Sequence, residues 1–338
     1  MRLLLCSYHF HPSLGGLEIA SQTIADELAA RGHAVTVVTA TAADDGRAFA
    51  YPVVRRPGAR QLFRLVRAAE VVWHNHLSLR YGWPLLLLDR PWAITHQTWL
   101  SGSPGPLGLA RALRRRALRR STQVAISGAV AARLPVPATV IPNPYRDGLF
   151  TTLPAAEVAR EFELGFAGRL VSDKGCDLLL EALAALPGQP RLLVLGSGPE
   201  EPALRAQAQR LGLAGRVVFA GVHREAALAR QLNRVQILVV PSRWPEPFGI
   251  VALEGLACGC TLVVSDGGGL PEAVGAAGLN FPSGDGTALR DRLAALLAQP
   301  QLAASLRAAA PAQLERHRAA AVADRYEALF AGLLEAPL

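Results

Sequence analysis

Residues 237–266 read I-L-V-V-P-S-R-W-P-E-P-F-G-I-V-A-L-E-G-L-A-C-G-C-T-L-V-V-S-D. An apolar run of strand length (237–241) leads into a helical stretch (250–259), and a second apolar run (261–266) follows directly. Strand, helix, strand, with both strands apolar throughout, is the pattern of a parallel sheet buried on both faces. Two carboxylates, Glu246 and Glu254, stand in the connection with seven residues between them, and F-G-I-V-A-L (248–253) gives neither a basic neighbour.

The same rhythm runs through the chain. Strands are expected at 2–7, 34–40, 71–74, 92–96, 123–127 and 139–143, with helices between several of them. The Pro-rich stretch 135–154 interrupts the series, which then restarts with strands at 163–170, 191–196, 216–221, 237–241 and 261–266. A length of 338 residues suits two domains better than one. The fold class expected is therefore α/β, two doubly wound Rossmann-like domains facing each other across a cleft. Residues 1–150 form the first, joined by a C-terminal helix at about 321–338, and residues 151–320 form the second. Ligands of such sheets lie at the carboxyl ends of the strands, and a cleft between two domains is the natural binding place.

Composition narrows the class. Half the residues, 51%, are hydrophobic, as in a compact globular protein, and no apolar run reaches the roughly 18–20 residues of a membrane span. The start, M-R-L-L-L-C-S-Y-H-F, is too short in apolar residues for a secretory signal, so cytoplasmic residence is expected. Cys6, Cys176, Cys258 and Cys260 lack metal-ligand spacing and read as buried small residues; no disulfide and no metal site is expected. The net charge of +8 is carried by 34 arginines and one lysine, Lys174, and favours anionic partners. No aromatic interleaving or recognition module supports nucleic acid.

The candidate site residues follow from these elements. On one continuous helix Glu246 and Glu254 would lie roughly 12 Å apart, beyond the separation of about 5–9.5 Å at which two carboxylates share a glycosidic bond. Pro247 and Gly249 instead place Glu246 in the loop before the helix, with the N–H groups of Phe248, Gly249 and Ile250 directed outwards and Glu254 about a turn further on. That geometry suits an elongated ligand with hydroxyls at both ends and negative charge between; the bland alternative has Glu246 as a cap and Glu254 paired with an arginine. Arg169 and Lys174, around Gly168 and Gly175, set two cations beside a helix start, an anion site, although such charges are commonly just solvated. Gly15 and Gly16 precede the first helix and allow close backbone approach to a phosphate, or simply make a tight turn. L-G-S-G-P-E (195–200) has Glu201 where a dinucleotide fingerprint needs its third glycine, which disfavours a dehydrogenase. D-G-G-G-L-P-E-A-V-G (266–275) is a further Gly-rich turn after a strand. His96 ends a strand and faces the ligand side, whereas His9, His11, His74 and His76 read mostly as loop or packing residues.

Taken together, G-R-L-x-x-x-K-G-x-D (168–177), V-P-S-R-W-P-E-P-F-G-I-V-A-L-E-G-L-A-C-G (240–259) and G-G-L-P-E (268–272) resemble the retaining glycosyltransferases of family four, with the GT-B fold. P-x-x-G-G-x-E (12–18), T-H (95–96), A-I-S (125–127) and V-I-P-N (140–143) extend the resemblance over nearly the whole chain. The resemblance implies a transferase moving a sugar from a nucleotide-sugar donor, of UDP or GDP type, with retention of configuration and without a metal. It implies that Glu254 holds the ribose hydroxyls, and that Glu246, with the Phe248 and Gly249 amides, holds the transferred sugar. Arg169 and Lys174 neutralise the diphosphate, Gly16 approaches it, and His96 contacts the donor sugar. No D-x-D motif occurs, so a metal clamp lacks its usual ligands. Asn143-Pro144-Tyr145-Arg146 departs from the N-G-V-D usual in relatives, and Thr261 replaces a frequent proline. The acceptor, saccharide or lipid-linked, stays open, as in polysaccharide or glycolipid synthesis. The basic helix candidate 109–120, with Arg111, Arg114, Arg115, Arg116, Arg119 and Arg120, fits an anionic membrane surface as well as it fits a solvated helix or an acidic acceptor site. A nucleotide-sugar epimerase, a sugar phosphorylase and a non-catalytic nucleotide-sugar binding protein are the alternatives on the same architecture.

Overall fold

The structure is a computed structural model, which describes residues 1–13, 15–42, 46–100 and 108–335. Leu14 of the first glycine loop and residues 336–338 of the expected C-terminal helix lie outside the described residues. The chain divides into two compact units, Met1–Pro144 with Ala319–Leu338, and Tyr145–Arg318.

The first unit is built on strands β1 (Arg2–Ser7), β2 (Ala34–Thr39), β3 (Val53–Arg55), β4 (Val71–Asn75), β5 (Trp92–His96), β6 (Thr122–Ala125) and β7 (Thr139–Val140). They form a parallel sheet in the order β3-β2-β1-β4-β5-β6-β7. Alternation along each strand feeds two cores. Leu3, Leu5 and Trp73 pack on one face with Val322, Tyr326 and Phe330 of the helix Ala319–Glu335. Leu4, Cys6, Val72 and Ile94 pack on the other face. Burial on both faces is why apolar residues fill most of β1, β2, β4 and β5. The C-terminal helix is also held by polar contacts: Trp73 Nε1 donates to Thr95 Oγ1 at 2.8 Å, and Thr95 Oγ1 lies 2.9 Å from the Tyr326 hydroxyl.

The second unit contains β8 (Phe162–Ala167), β9 (Leu192–Leu195), β10 (Val217–Gly221), β11 (Val235–Val240), β12 (Thr261–Ser265) and β13 (Gly278–Phe281). Their parallel order is β10-β9-β8-β11-β12-β13. In both sheets the first strand sits centrally and the order reverses beside it, at β1/β4 and at β8/β11, the switch points where loops part and leave room for a ligand. β11, helix Ile250–Ala257 and β12 are the strand–helix–strand unit expected at 237–266. The four cysteines are buried free thiols.

Candidate functional site

In the second unit, two loops meet beyond the carboxyl ends of β8 and β11. After β8 the chain turns through Gly168 and Arg169 and enters a short 3-10 turn (Ser172–Lys174). Gly175, at φ +68°, opens the helix Cys176–Ala184. A β-carbon at Gly175 would collide with the carbonyl oxygen of Pro241, so glycine is required for the two loops to meet. Arg243 fastens them further: its N–H donates to the Asp173 carbonyl oxygen at 2.8 Å, and its guanidinium grips the Asp177 carboxylate at 2.6 and 2.7 Å. Sequence reading missed this fork, whose partners stand 66 residues apart.

Glu246 lies in the loop before the helix, not on it. The helix begins at Ile250, capped by Gly249 at φ +112°, where a β-carbon would run into Leu270. The Gly-rich turn after β12 holds this loop from the other side. Gly268 and Gly269 pack against the Glu246 and Pro247 carbonyl oxygens, and the Gly269 N–H donates to the Glu246 carbonyl oxygen at 2.7 Å. The Glu246 carboxylate receives the Ser242 hydroxyl at 2.7 Å and the Lys174 ammonium. Lys174 and Glu246, expected to serve different parts of one ligand, are thus ion-paired and only part-buried. Arg169 is exposed and forms no side-chain hydrogen bond or ion pair among the described residues. Pro247 is half-buried, Phe248 is buried with its ring 5.5 Å from that of His317, and Ile250 is buried.

Glu254 sits one turn into the helix at 5% exposure. Its carboxylate has no hydrogen bond or ion pair among the described residues. Burial pushes its pKa up to about 7, against a smaller opposing pull from Arg146. Arg146 itself bonds Glu225 at 3.3 Å and keeps its buried Nε without a partner. The arginine pairing that would make Glu254 merely structural is therefore not formed. A buried carboxylate without donors is costly unless a ligand supplies them.

The L-G-S-G-P-E stretch has a backbone explanation. Gly196, at φ +141°, and Gly198 cross against the carbonyl oxygens of Gly168 and Leu170, and Leu170 N–H donates to the Ser197 carbonyl oxygen at 2.9 Å. These glycines shape the turn that carries Arg169.

In the first unit, Gly15 caps the helix Gly16–Ala30 in extended backbone that any residue adopts. The start of that helix is tied down instead by Asn75 of β4, whose amide donates to the Leu17 carbonyl oxygen at 3.1 Å and to the Ser21 hydroxyl. Gln97 links Asn75 to Asn143 with bonds of 2.8 to 3.0 Å. Asn143 of the departing N-P-Y-R segment is thus a buried structural residue of this unit. His96 ends β5 fully buried, with Nε2 2.8 Å from Gln123 Oε1 and Nδ1 unpartnered. Gln97, Asn75 and Gln123 escaped the sequence reading, although each lies in or directly beside an expected strand. No group of three or more His, Cys, Asp or Glu side chains gathers as a metal site among the described residues.

Comparison with known proteins adds to this geometry. Residues 155–313, nearly all of the second unit, match the family model described as Glycosyl transferases group 1. The D-inositol 3-phosphate glycosyltransferase of Segniliparus rotundus is 34% identical over 222 residues, 59% of this chain. That of Mycobacteroides abscessus is 42% identical over 120 residues, 34% of this chain. The aligned stretches take in only 49% and 27% of those relatives' own lengths. Among solved structures, HepE from Anabaena in complex with UDP superposes with a TM-score of 0.80 at 23% identity, covering 98% of this chain and 100% of the other. Sucrose-phosphate synthase from Thermosynechococcus elongatus gives 0.79 at 22% identity, with 100% of both chains covered. These structural likenesses establish the two-domain fold.

Proposed function

We propose that this chain, whose residues 155–313 match the Glycosyl transferases group 1 model, belongs to that family and moves a sugar from a nucleotide-sugar donor to an acceptor hydroxyl. The observation that carries the reading is Glu254: a buried carboxylate without protein donors, one helical turn from the loop that presents Glu246 and free helix N–H groups, which meets the β8 loop carrying Arg169 and Lys174.

Ribose hydroxyls donate to Glu254 and satisfy it. The diphosphate lies against the N–H groups at the start of the helix Ile250–Ala257, where the helix dipole and the Arg169 and Lys174 charges favour it. Glu246, fixed by Ser242, accepts hydroxyls of the transferred sugar. As the bond to the diphosphate breaks, charge grows on the leaving oxygens, and these fixed cations and amides stabilise it. His96 contacts the donor sugar and Gly16 approaches the diphosphate. Transfer proceeds with retention, as in family four, without a metal ion, and from the cytoplasmic side of a membrane. HepE was solved in complex with UDP and with UDP-glucose, which supports a uridine donor here. The acceptor is a saccharide or a lipid-linked one, and the arginine-rich helix Leu109–Arg120 rests on anionic lipid.

A thermal-shift panel of UDP-, GDP- and ADP-sugars tests the reading. A true donor at a hundredfold excess over its dissociation constant stabilises the fold by about 2.7 kcal/mol. No shift with any nucleotide sugar would sink it. Product analysis with donor alone separates an epimerase, which needs no acceptor, and incubation with donor and a saccharide library identifies transfer.

A further inference from the structure

The loop after β11 curls back on itself. Ser242 and Glu246 stand at the two ends of the curl, joined by the Ser242 hydroxyl, which donates to the Glu246 carboxylate at 2.7 Å. Trp244 lies midway, in the bend between them. The N–H groups of Arg243 and Trp244 both donate to the Asp173 carbonyl oxygen, at 2.8 and 3.2 Å. Ser283 ties the loop from another element, its hydroxyl donating to the Ser242 and Arg243 carbonyl oxygens at 3.2 and 3.4 Å. Pro245 follows and restricts the Trp244 backbone. These bonds fix the main chain and leave the side chain uncovered. Trp244 is 46% exposed, and its indole makes no hydrogen bond, ring contact or cation–π contact among the described residues. The other four of the five tryptophans, Trp73, Trp83, Trp92 and Trp99, are buried or half-buried.

The place of this indole sets what it can meet. Two residues of chain span at most about 7 Å, so the α-carbon of Trp244 is no further than that from the α-carbon of Glu246. Lys174, next to Asp173, is ion-paired to the same Glu246 carboxylate. The exposed ring is thus carried on a rigid segment at the rim of the acid–lysine pair. The face of an indole is electron-rich. It disfavours phosphate and attracts C–H groups made electron-poor by neighbouring oxygens. A pyranose presents such C–H groups on its faces and hydroxyls around its edge. An acceptor carboxylate beside an open indole face matches both surfaces of one sugar ring.

We propose that Trp244 is the stacking surface for a pyranose ring whose hydroxyls engage Glu246. The inference rests on the sugar-transferase reading above and adds the residue that recognises the apolar face of the sugar. The ring belongs either to the transferred sugar or to a saccharide acceptor. The nucleotide, which on that reading lies at Glu254, does not touch the indole.

The test uses the full chain with Trp244→Ala and Trp244→Phe, and thermal midpoints show whether each variant folds. Calorimetry measures affinity for UDP and GDP, for UDP-glucose, UDP-N-acetylglucosamine and GDP-mannose, and, with nucleotide present, for methyl α-glucoside. Loss of the ring contact predicts about a tenfold fall in affinity for the saccharide-bearing ligand in Trp244→Ala, with nucleotide binding kept and most of the loss restored in Trp244→Phe. A fall with a nucleotide sugar assigns the ring to the transferred sugar; a fall with methyl α-glucoside assigns it to the acceptor. Acrylamide quenching of wild-type fluorescence gives a second reading, because saccharide should shield the one exposed tryptophan and nucleotide alone should not. Wild-type affinity for every saccharide in Trp244→Ala, with nucleotide still bound, overturns the inference. Absence of UDP and GDP binding in the wild-type chain instead overturns the donor reading, and this inference with it.

Discussion

Glu254 carries a signature that pH can read. Its carboxyl titrates at about 7 in the folded chain against an ordinary 4.5. Because the folded value is the higher, the stability it contributes is complete below pH 4.5 and is lost as pH rises through about 7. The loss is on the order of 3 kcal/mol. Glu254→Gln, which cannot ionise, should therefore match wild type in denaturant melts near pH 4 and exceed it at pH 8. On the proposed reading donor binding runs the other way, because a carboxylate accepts two ribose hydroxyls better than the acid does. Affinity for UDP-glucose should rise from pH 6 to pH 8 in wild type and stay low and flat in Glu254→Gln. A wild-type profile in the variant would remove Glu254 from the ribose. The Lys174–Glu246 pair makes a different prediction. On the proposed reading Lys174→Ala withdraws a cation from the leaving diphosphate and should lower kcat about 10²- to 10³-fold, while Glu246→Gln should lower kcat with nucleotide affinity retained. Steady-state kinetics with UDP and UDP-sugar binding measured in parallel checks both.

At the scale of the element, the acid-bearing loop is held by glycines rather than by its own side chains. Gly268 sits at φ +78° against the Glu246 carbonyl oxygen. Gly268→Ala must strain the backbone or push the loop away, at a cost of about 1–3 kcal/mol. Its transfer rate should fall with Lys174 and Glu246 both intact, and a variant with wild-type rate and melting point would show that the turn does not position the loop. The G-G-L-P-E run was visible in the sequence, but its job was not, since the Glu246–Gly268 backbone pairing joins two loops on either side of a helix and a strand. What sequence showed well was any element buried on two sides. β1, β4, β5, β11 and β12 carry runs of consecutive apolar residues because both sheet faces are covered. β3 was missed: it is a three-residue edge strand, V-V-R, half-buried throughout and flanked by proline and arginine, and so lacks that pattern. Ion pairs were the least legible feature. Lys174 and Glu246 are 72 residues apart, and only the crossing of the β8 and β11 loops brings them together.

Over the whole molecule the charge balance is +8, and one helix concentrates much of it. Leu109–Arg120 carries six exposed arginines, while Ala117 and Leu118 turn into the core of the first unit. Arg120 is bridged to Asp89 at 3.0 Å. No helix among the described residues is long and apolar enough to cross a membrane, and the attachment proposed for Leu109–Arg120 is one of surface electrostatics. Each arginine near an anionic leaflet contributes about 1 kcal/mol, and the effect decays within a Debye length. Replacing Arg115 and Arg116 together by glutamine should weaken partition onto phosphatidylglycerol vesicles about 30-fold at low salt. Wild-type binding should fall steeply as salt is raised, and neutral phosphatidylcholine vesicles should bind neither protein. Both residues are exposed and absent from the donor residues, so UDP-glucose affinity in solution reports whether the fold survived the change. Flotation of wild type without association at low salt would return this helix to the role of a solvated face, and would leave the donor assignment in the second unit untouched.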